Sequence, residues 1–125
     1  MNKSRSITEI AREIHANAVA KGFYDGDKAV IVDGSPRTVP VLAQLAMIHG
    51  EVSEASEAAR DEQWDIHWPH GEPGKSKPEG LVVELADAII RSLDLATALD
   101  LPIEEAIRVK TAFNKTRGRL HGRKA

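Results

Sequence analysis

Leu81-Val82-Val83-Glu84-Leu85-Ala86-Asp87-Ala88-Ile89-Ile90-Arg91-Ser92-Leu93-Asp94-Leu95-Ala96-Thr97-Ala98-Leu99 is apolar around most of a helical cylinder and charged along one strip. Leu81, Val82, Leu85, Ile89, Ser92, Ala96 and Leu99 make one side. Val83, Ala86, Ile90 and Leu93 carry the apolar surface further round. The polar strip is Glu84, Asp87, Arg91 and Asp94. A helix with so little polar surface belongs at the centre of a fold or at a subunit interface. The pattern predicts this helix from about Pro78 to Leu99.

The preceding helix is predicted from about Val39 to Glu62, with Pro40 in its first turn. Val41, Leu45, Ile48, Val52, Ala55 and Ala59 repeat at helical spacing and are expected to face the core. Glu51 lies roughly 60° to one side of that stripe and Glu54 roughly 120°. Ile7 to Ala20 reads as the first helix, capped by Ser6 with Glu9 three residues on. Its stripe is Ile7, Ile10, Ala11, Ile14 and Ala18, and Gly22 is its stop signal. An Asp- and Gly-rich loop follows to about Arg37; Val30-Ile31-Val32 could form a short strand in it, and the assignment does not depend on one. A fourth helix is predicted from near Pro102 to near Gly118, with Glu104 and Glu105 in the first turn, where the helix dipole favours them. Ile103, Ala106 and Ile107 face inward. Lys110, Asn114 and Arg117 continue that face, which so turns from apolar to cationic; His121 would follow if the helix ran on. The expectation is a single all-α domain over residues 1–125, a four-helix bundle-like fold.

Composition narrows the chemistry. The chain has 125 residues, 42% hydrophobic and 29% charged, as in an ordinary soluble domain. It has no cysteine, which excludes disulfides, thiolate metal sites and a cysteine nucleophile. No apolar run reaches the length of a membrane span, and no signal core follows Met1-Asn2-Lys3-Ser4-Arg5, so a cytoplasmic location and no membrane partner are expected. The formal net charge of −2 argues against a stable nucleic-acid partner. The one marked bias is the run from Arg108 to Lys124, with seven Lys or Arg and no Asp or Glu.

Glu51-Val52-Ser53-Glu54 and Glu84-Leu85-Ala86-Asp87 each place two carboxylates three residues apart on one helix face. Side by side, the two helices would bring four carboxylates together, and such a site repels itself unless a cation is bound. Oxygen-only ligation suits Mg²⁺ or Mn²⁺. The di-iron bundle alternative needs Glu-x-x-His pairs, and neither pair has the His. Each pair also has a plain reading. Two Glu on a surface helix are commonplace, and Arg91, four residues after Asp87, could neutralise the strip as a salt bridge. The cationic face of the fourth helix likewise has two readings: a structural counterpart to the carboxylates, or a row of groups aimed at phosphates held beside a metal.

Between the two pairs, residues 63–77 are polar and broken by Pro69, Gly71, Pro73 and Gly74. This loop carries Trp64, His67, Trp68 and His70. The plain reading is a loop docking its aromatics on its own or a neighbouring subunit; contact with a base or ribose is the sharper alternative, and metal binding by the two His ranks last.

Leu45-Ala46-Met47-Ile48-His49-Gly50-Glu51-Val52-Ser53-Glu54-Ala55 followed by Glu84-Leu85-Ala86-Asp87-Ala88-Ile89-Ile90-Arg91 resembles the MazG-like all-α nucleoside triphosphate pyrophosphohydrolases, whose pattern is E-x-x-E, a spacer, then E-x-x-D. Lys110-Thr111-Ala112-Phe113-Asn114-Lys115-Thr116-Arg117 with His121-Gly122 resembles the C-terminal part of short phage- and integron-type members. Ile14-His15-Ala16-Asn17-Ala18 with Lys21-Gly22-Phe23 resembles their first helix. The spacer, residues 55–83, is at the long end for the family. The resemblance implies Mg²⁺-dependent hydrolysis of a nucleoside triphosphate, a dNTP or a non-canonical NTP, to monophosphate and pyrophosphate. It makes Glu51, Glu54, Glu84 and Asp87 the metal ligands, with Glu54 alternatively the group that positions or deprotonates the attacking water. Lys110, Asn114 and Arg117 would contact phosphates or sugar, Lys110 and Arg117 assisting departure of pyrophosphate. His15, Asn17, Phe23 and Gln44 are the candidates for the base, although Phe23 alone also reads as a core aromatic and Asn17 as a solvated residue. A homodimer or homotetramer with sites between chains is expected. The competing reading is a non-enzymatic helical binding module whose basic C-terminal segment docks an acidic partner or nucleic acid.

Overall fold

The structure is a computed structural model that describes residues 4–25, 30–32, 35–37 and 39–122. Four helices make the fold: α1 (Ile7–Ala20), α2 (Val41–Arg60), α3 (Leu81–Ala98) and α4 (Ile103–Thr116). A two-stranded antiparallel hairpin, β1 (Val30–Val32) and β2 (Ser35–Arg37), lies between α1 and α2, with Val30 opposite Arg37 and Val32 opposite Ser35. The Val30-Ile31-Val32 segment is therefore a strand, as its β-branched composition permits. Much of the surrounding loop, and Arg123 and Lys124 of the basic run, lie outside the described residues.

The start of α1 follows directly from its sequence. The Ser6 hydroxyl accepts from the Glu9 amide at 3.1 Å, and the Glu9 carboxylate accepts from the Ser6 amide at 3.0 Å, closing a capping box. These bonds hold the Glu9 carboxyl below its ordinary value. The start of α3 departs from expectation. The helix begins at Leu81, not Pro78, because Glu79 pairs its backbone with His67 in an antiparallel bridge, by bonds of 3.0 and 2.8 Å. Gly80 then turns the chain at φ 130°, beyond the reach of a helix. The Leu81 amide donates to the Gln63 carbonyl at 2.7 Å and the Val82 amide to the Trp64 carbonyl at 3.1 Å. The long connection is thus pinned at both ends to its own backbone.

α3 is the central element, packed against α2 and α1, while α4 touches α1 and α3 only sparingly. The buried core is made largely of small residues: Ala11, Ala55, Ala96 and Ala98 with Val39, Leu93 and Leu95. Val39, Leu95 and Ala98 form its centre, covered by Tyr24, Val41, Ile48 and Leu99. Small side chains let helix axes approach closely. On α2 the buried stripe is rotated from the expected one. Ile48 and Ala55 face inward, but Leu45 is 43% exposed and Val52 55% exposed. Glu51, expected at the edge of the buried face, lies inside it at 8% exposure. The physical reason is that Glu51 has a partner: Arg91 on α3 donates from Nε to its Oε1 at 2.7 Å. A buried carboxylate so paired is tolerable where a lone one is not.

The end of α4 also differs. Arg117 takes an extended conformation, and Arg119–Gly122 form a separate short turn in which Leu120 and His121 have positive φ. His121 is therefore not on a continued α4 face. α4 is tethered at its start instead, where Glu104 Oε1 accepts from the Thr8 amide at 2.8 Å, a bond that holds the Glu104 carboxyl below its ordinary value.

Candidate metal-binding site

The E-x-x-E spacing on α2 and the E-x-x-D spacing on α3 meet where those helices pack. One carboxylate oxygen from each of Glu51, Glu54 and Glu84 lies within 4.8 Å of the other two. Glu51 is buried, Glu84 half-buried and Glu54 exposed at the rim. Three of the four expected ligands are thus brought together. Asp87, one turn beyond Glu84, stands beside the trio and lines the adjoining cleft.

The electrostatics of this cluster are set by which carboxylate has a cation. Burial pushes Glu51 up, but its hydrogen bond to Arg91 and that residue's charge outweigh burial and leave its carboxyl below the ordinary value. Glu84 has no such partner. Burial, then the hydrogen bond and charge of Glu54, then the charges of Asp87 and Glu51, push it up to about 7. Asp87 is raised by burial and by Glu51, against the opposing charges of Arg91 and Lys77. Arg91 was a candidate partner for Asp87 along the same helix; it bonds across to Glu51 instead.

Glu84 Oε2 is buried and has no hydrogen-bond partner among the described residues. An orphaned oxygen on a carboxylate clustered with two others is costly unless a proton or a cation satisfies it. The donor set is all oxygen, which suits a hard divalent ion such as Mg²⁺ or Mn²⁺. The residues present fit such an ion.

A cleft of about 660 Å³ opens beside the cluster. Its walls include Glu51, Glu54 and Asp87 at one part, and Ile14, Ala18, Phe23, Met47 and Ile90 as apolar surface. Asn17 and Gln44 add two neutral amides, Asp94 a carboxylate, and Lys77 and Arg91 two cations. Of the expected base-contacting residues, Asn17, Phe23 and Gln44 all line this cleft. Phe23 is no core aromatic: it is 73% exposed. His15 is not among the lining residues. It stands behind them, its Nδ1 2.8 Å from Asp94 Oδ1, while the Tyr24 hydroxyl donates to Asp94 Oδ2 at 2.6 Å. The two rings meet edge to face at 4.9 Å. Burial and the Asp94 hydrogen bond raise the Tyr24 phenol above its ordinary value, so it stays a donor.

Lys110, Asn114 and Arg117 are not brought to this cleft. Lys110 and Arg117 sit over the ring of Phe113, at 5.0 and 5.6 Å from its centroid, and Phe113 is 53% exposed. Asn114 Oδ1 is buried without a hydrogen-bond partner among the described residues. The face that periodicity marks as inner is therefore largely open in the single chain, because α4 is held mainly at its first turn.

Asp94, Tyr24 and Lys77 are among the lining or supporting residues that the sequence did not single out. Asp94 had a legible signal, since it follows Asp87 at seven residues and Arg91 at three on the same strip. Tyr24 had only its place next to Phe23. Lys77 had none, because the loop has no periodicity from which a direction can be read.

Trp64 and Ile66 in the long connection are exposed. His67 Nδ1 lies 3.2 Å from the Asp65 carbonyl, and His70 is 3.9 Å from Glu79. Neither histidine belongs to the carboxylate cluster.

No family model, no curated protein and no solved structure matches this chain.

Proposed function

We propose that the protein is a divalent-metal-dependent hydrolase of nucleoside triphosphates that yields nucleoside monophosphate and pyrophosphate, as the resemblance to MazG-like enzymes implies. The observation that carries the reading is the cluster of Glu51, Glu54 and Glu84, with Glu84 Oε2 orphaned, beside a cleft with apolar, amide and cationic lining. Repulsive carboxylates at a cleft need a cation, and a cation at a cleft invites a polyanion.

Glu51, Glu54 and Glu84 would hold Mg²⁺ or Mn²⁺, with Asp87 a further oxygen ligand or a partner to its water shell. Bound there, the ion supplies Lewis-acid polarisation of a phosphoryl group and acidifies a coordinated water. In its alternative role Glu54, the exposed member, leaves the ion to the other carboxylates and accepts the proton of the attacking water. Water oxygen bonds to the α-phosphorus, the α–β anhydride bond breaks, and pyrophosphate leaves with the bonding pair. Ile14, Phe23, Met47 and Ile90 offer the base an apolar slot, and Asn17 and Gln44 offer it donors and acceptors. Asp94 at that wall is held in one orientation by His15 and Tyr24. In the same reading Lys110, Asn114 and Arg117 serve the cleft of a second copy, since their own cleft does not include them.

The test is incubation with a panel of canonical and modified triphosphates plus Mg²⁺, with detection of released pyrophosphate. Activity that disappears in Glu54→Gln and with chelator supports the reading; absence of pyrophosphate from every substrate ends it. The exposed Lys110–Phe113–Arg117 stack supports a second reading, a module that binds an acidic partner. That reading expects binding that weakens with salt and no heat on titration with Mg²⁺.

A further inference from the structure

Between the two acidic pairs the chain runs through a connection with a fixed shape. The Lys75 and Ser76 amides both donate to the Glu72 carbonyl, at 3.0 and 3.1 Å, and the Ser76 hydroxyl donates to it as well, at 3.1 Å. Three residues later the His67–Glu79 bridge and the Gln63 and Trp64 carbonyls fasten the chain again. A Cβ on Gly80 would stand 2.2 Å from the Asp65 carbonyl oxygen, so the strands of this connection are closed on each other as tightly as a glycine allows. Lys77 sits between these two fastenings and lines the cleft that Glu51, Glu54 and Asp87 also line. Its charge is felt there, since it lowers the Asp87 carboxyl against the effects that raise it.

Among the described residues the cleft has two cations in its lining, and they are not equivalent. Arg91 is committed to Glu51. Lys77 has no ion-pair partner among the described residues. We propose that Lys77 is an anion-binding residue of the cleft, the group that takes the phosphate chain of a polyphosphate ligand at the carboxylate end. This deepens the hydrolase reading and rests on it for the identity of the ligand. Lysine suits the role as a compact point charge with three donors on a long stem. Neutralising a phosphate oxygen beside four acidic side chains, Glu51, Glu54, Asp87 and Asp94, needs a positive group that those carboxylates have not already claimed.

The experiment is calorimetric titration with Mg²⁺ and inorganic tripolyphosphate, on the full chain, for the wild type, Lys77→Met and Lys77→Arg. Titration with Mn²⁺ alone runs in parallel. Lys77 is exposed, so both variants are expected to fold, with thermal melts as the control. The expected result is a loss of about tenfold or more in tripolyphosphate affinity in Lys77→Met, with most of it restored in Lys77→Arg. Mn²⁺ binding alone should be unchanged or tighter in Lys77→Met, because removing a cation near a cation site lowers repulsion. Loss of anion affinity with no loss of metal affinity is an outcome that a merely structural lysine does not produce. Unchanged tripolyphosphate binding in Lys77→Met, parallel loss of Mn²⁺ binding, or no binding by the wild type would each overturn the assignment. The pyrophosphate-release assay separates this from the reaction itself. A wild type that hydrolyses no triphosphate, with Lys77→Met still losing the anion, sinks the hydrolase and leaves the anion site standing. Hydrolysis with unchanged kcat/KM in Lys77→Met sinks Lys77 and leaves the hydrolase.

Discussion

Glu84→Gln should stabilise the metal-free protein at alkaline pH, the reverse of what loss of a half-buried polar contact normally does. The Glu84 carboxyl is pushed from its ordinary value of 4.5 to about 7 by burial and by Glu54, Asp87 and Glu51. A carboxyl with a raised value is protonated in the folded state over a pH range where the unfolded chain has already released its proton. Stability therefore falls as pH rises from about 4.5 to about 7, and is flat above. At about 1.4 kcal/mol per pH unit the full penalty would be roughly 3 kcal/mol. Solvent on the open side of the cluster screens it, which leaves about 1–2 kcal/mol. Glutamine keeps the shape and carries no charge to desolvate. At pH 8 in chelator, Glu84→Gln should then melt roughly 4–8 °C above the wild type, for a domain of this size. At pH 5 the difference should shrink to a degree or two. Adding Mn²⁺ at pH 8 should raise the wild-type melting temperature by mass action and leave the variant nearly unmoved. The assay is differential scanning calorimetry at fixed protein concentration. A variant that is destabilised at pH 8, or whose advantage is the same at pH 5, would show that Glu84 is not an uncompensated charge, and the case for a cation at this site would go with it.

Other perturbations read other parts of the same argument. Arg91→Met leaves Glu51 buried without its 2.7 Å partner and should cost about 2 kcal/mol in urea unfolding, with the deficit reduced by Mn²⁺; equal loss with and without metal would mean the pair and the cluster are independent. Gly80→Ala forces a Cβ against the Asp65 carbonyl at φ 130° and should cost about 2–4 kcal/mol, with faster proteolysis between Gln63 and Gly80; an unchanged urea midpoint would contradict the tight closure of that connection. Tyr24→Phe removes the donor to Asp94 and should cost about 1 kcal/mol while leaving Mn²⁺ affinity alone, measured by melting and by calorimetry. Ser6→Ala opens the capping box and should cost about 1 kcal/mol without touching the cleft; a change in Mn²⁺ or tripolyphosphate affinity would show that α1 entry and the site communicate.

Periodicity located α1 to the residue, because Ser6 and Glu9 mark its start locally and an apolar stripe marks its face. The same reasoning offered α3 a place at the centre or at a subunit interface; it packs against α1, α2 and α4, yet Val82, Leu85, Ile89 and Ile90 stay exposed in the single chain. It failed where two signals compete. Pro78 and Glu79 read as a helical first turn, yet backbone pairing with His67, a partner twelve residues upstream in an aperiodic loop, takes Glu79 out of the helix. On α2, Leu45 and Val52 look like core and Glu51 like its margin. The packing inverts this, because a carboxylate bonded to Arg91 on the next helix buries more readily than its sequence neighbours predict. On α4 the apolar-to-cationic face was legible, but not where it goes.

No helix among the described residues is long and apolar enough to cross a membrane, as the hydropathy of the chain indicates. What the sequence determined by itself is local: helix periods, the cap of α1, and two acidic pairs each confined to one helix face, all governed by interactions within a few residues. Which carboxylates meet, which one Arg91 neutralises, which is left orphaned, and that Lys77 joins the same cleft were decided only by tertiary structure. Those outcomes depend on the rotation of α2 against α3 and on the path of an aperiodic loop, and a turn of a few tens of degrees about a helix axis changes which charges face each other without changing any local pattern.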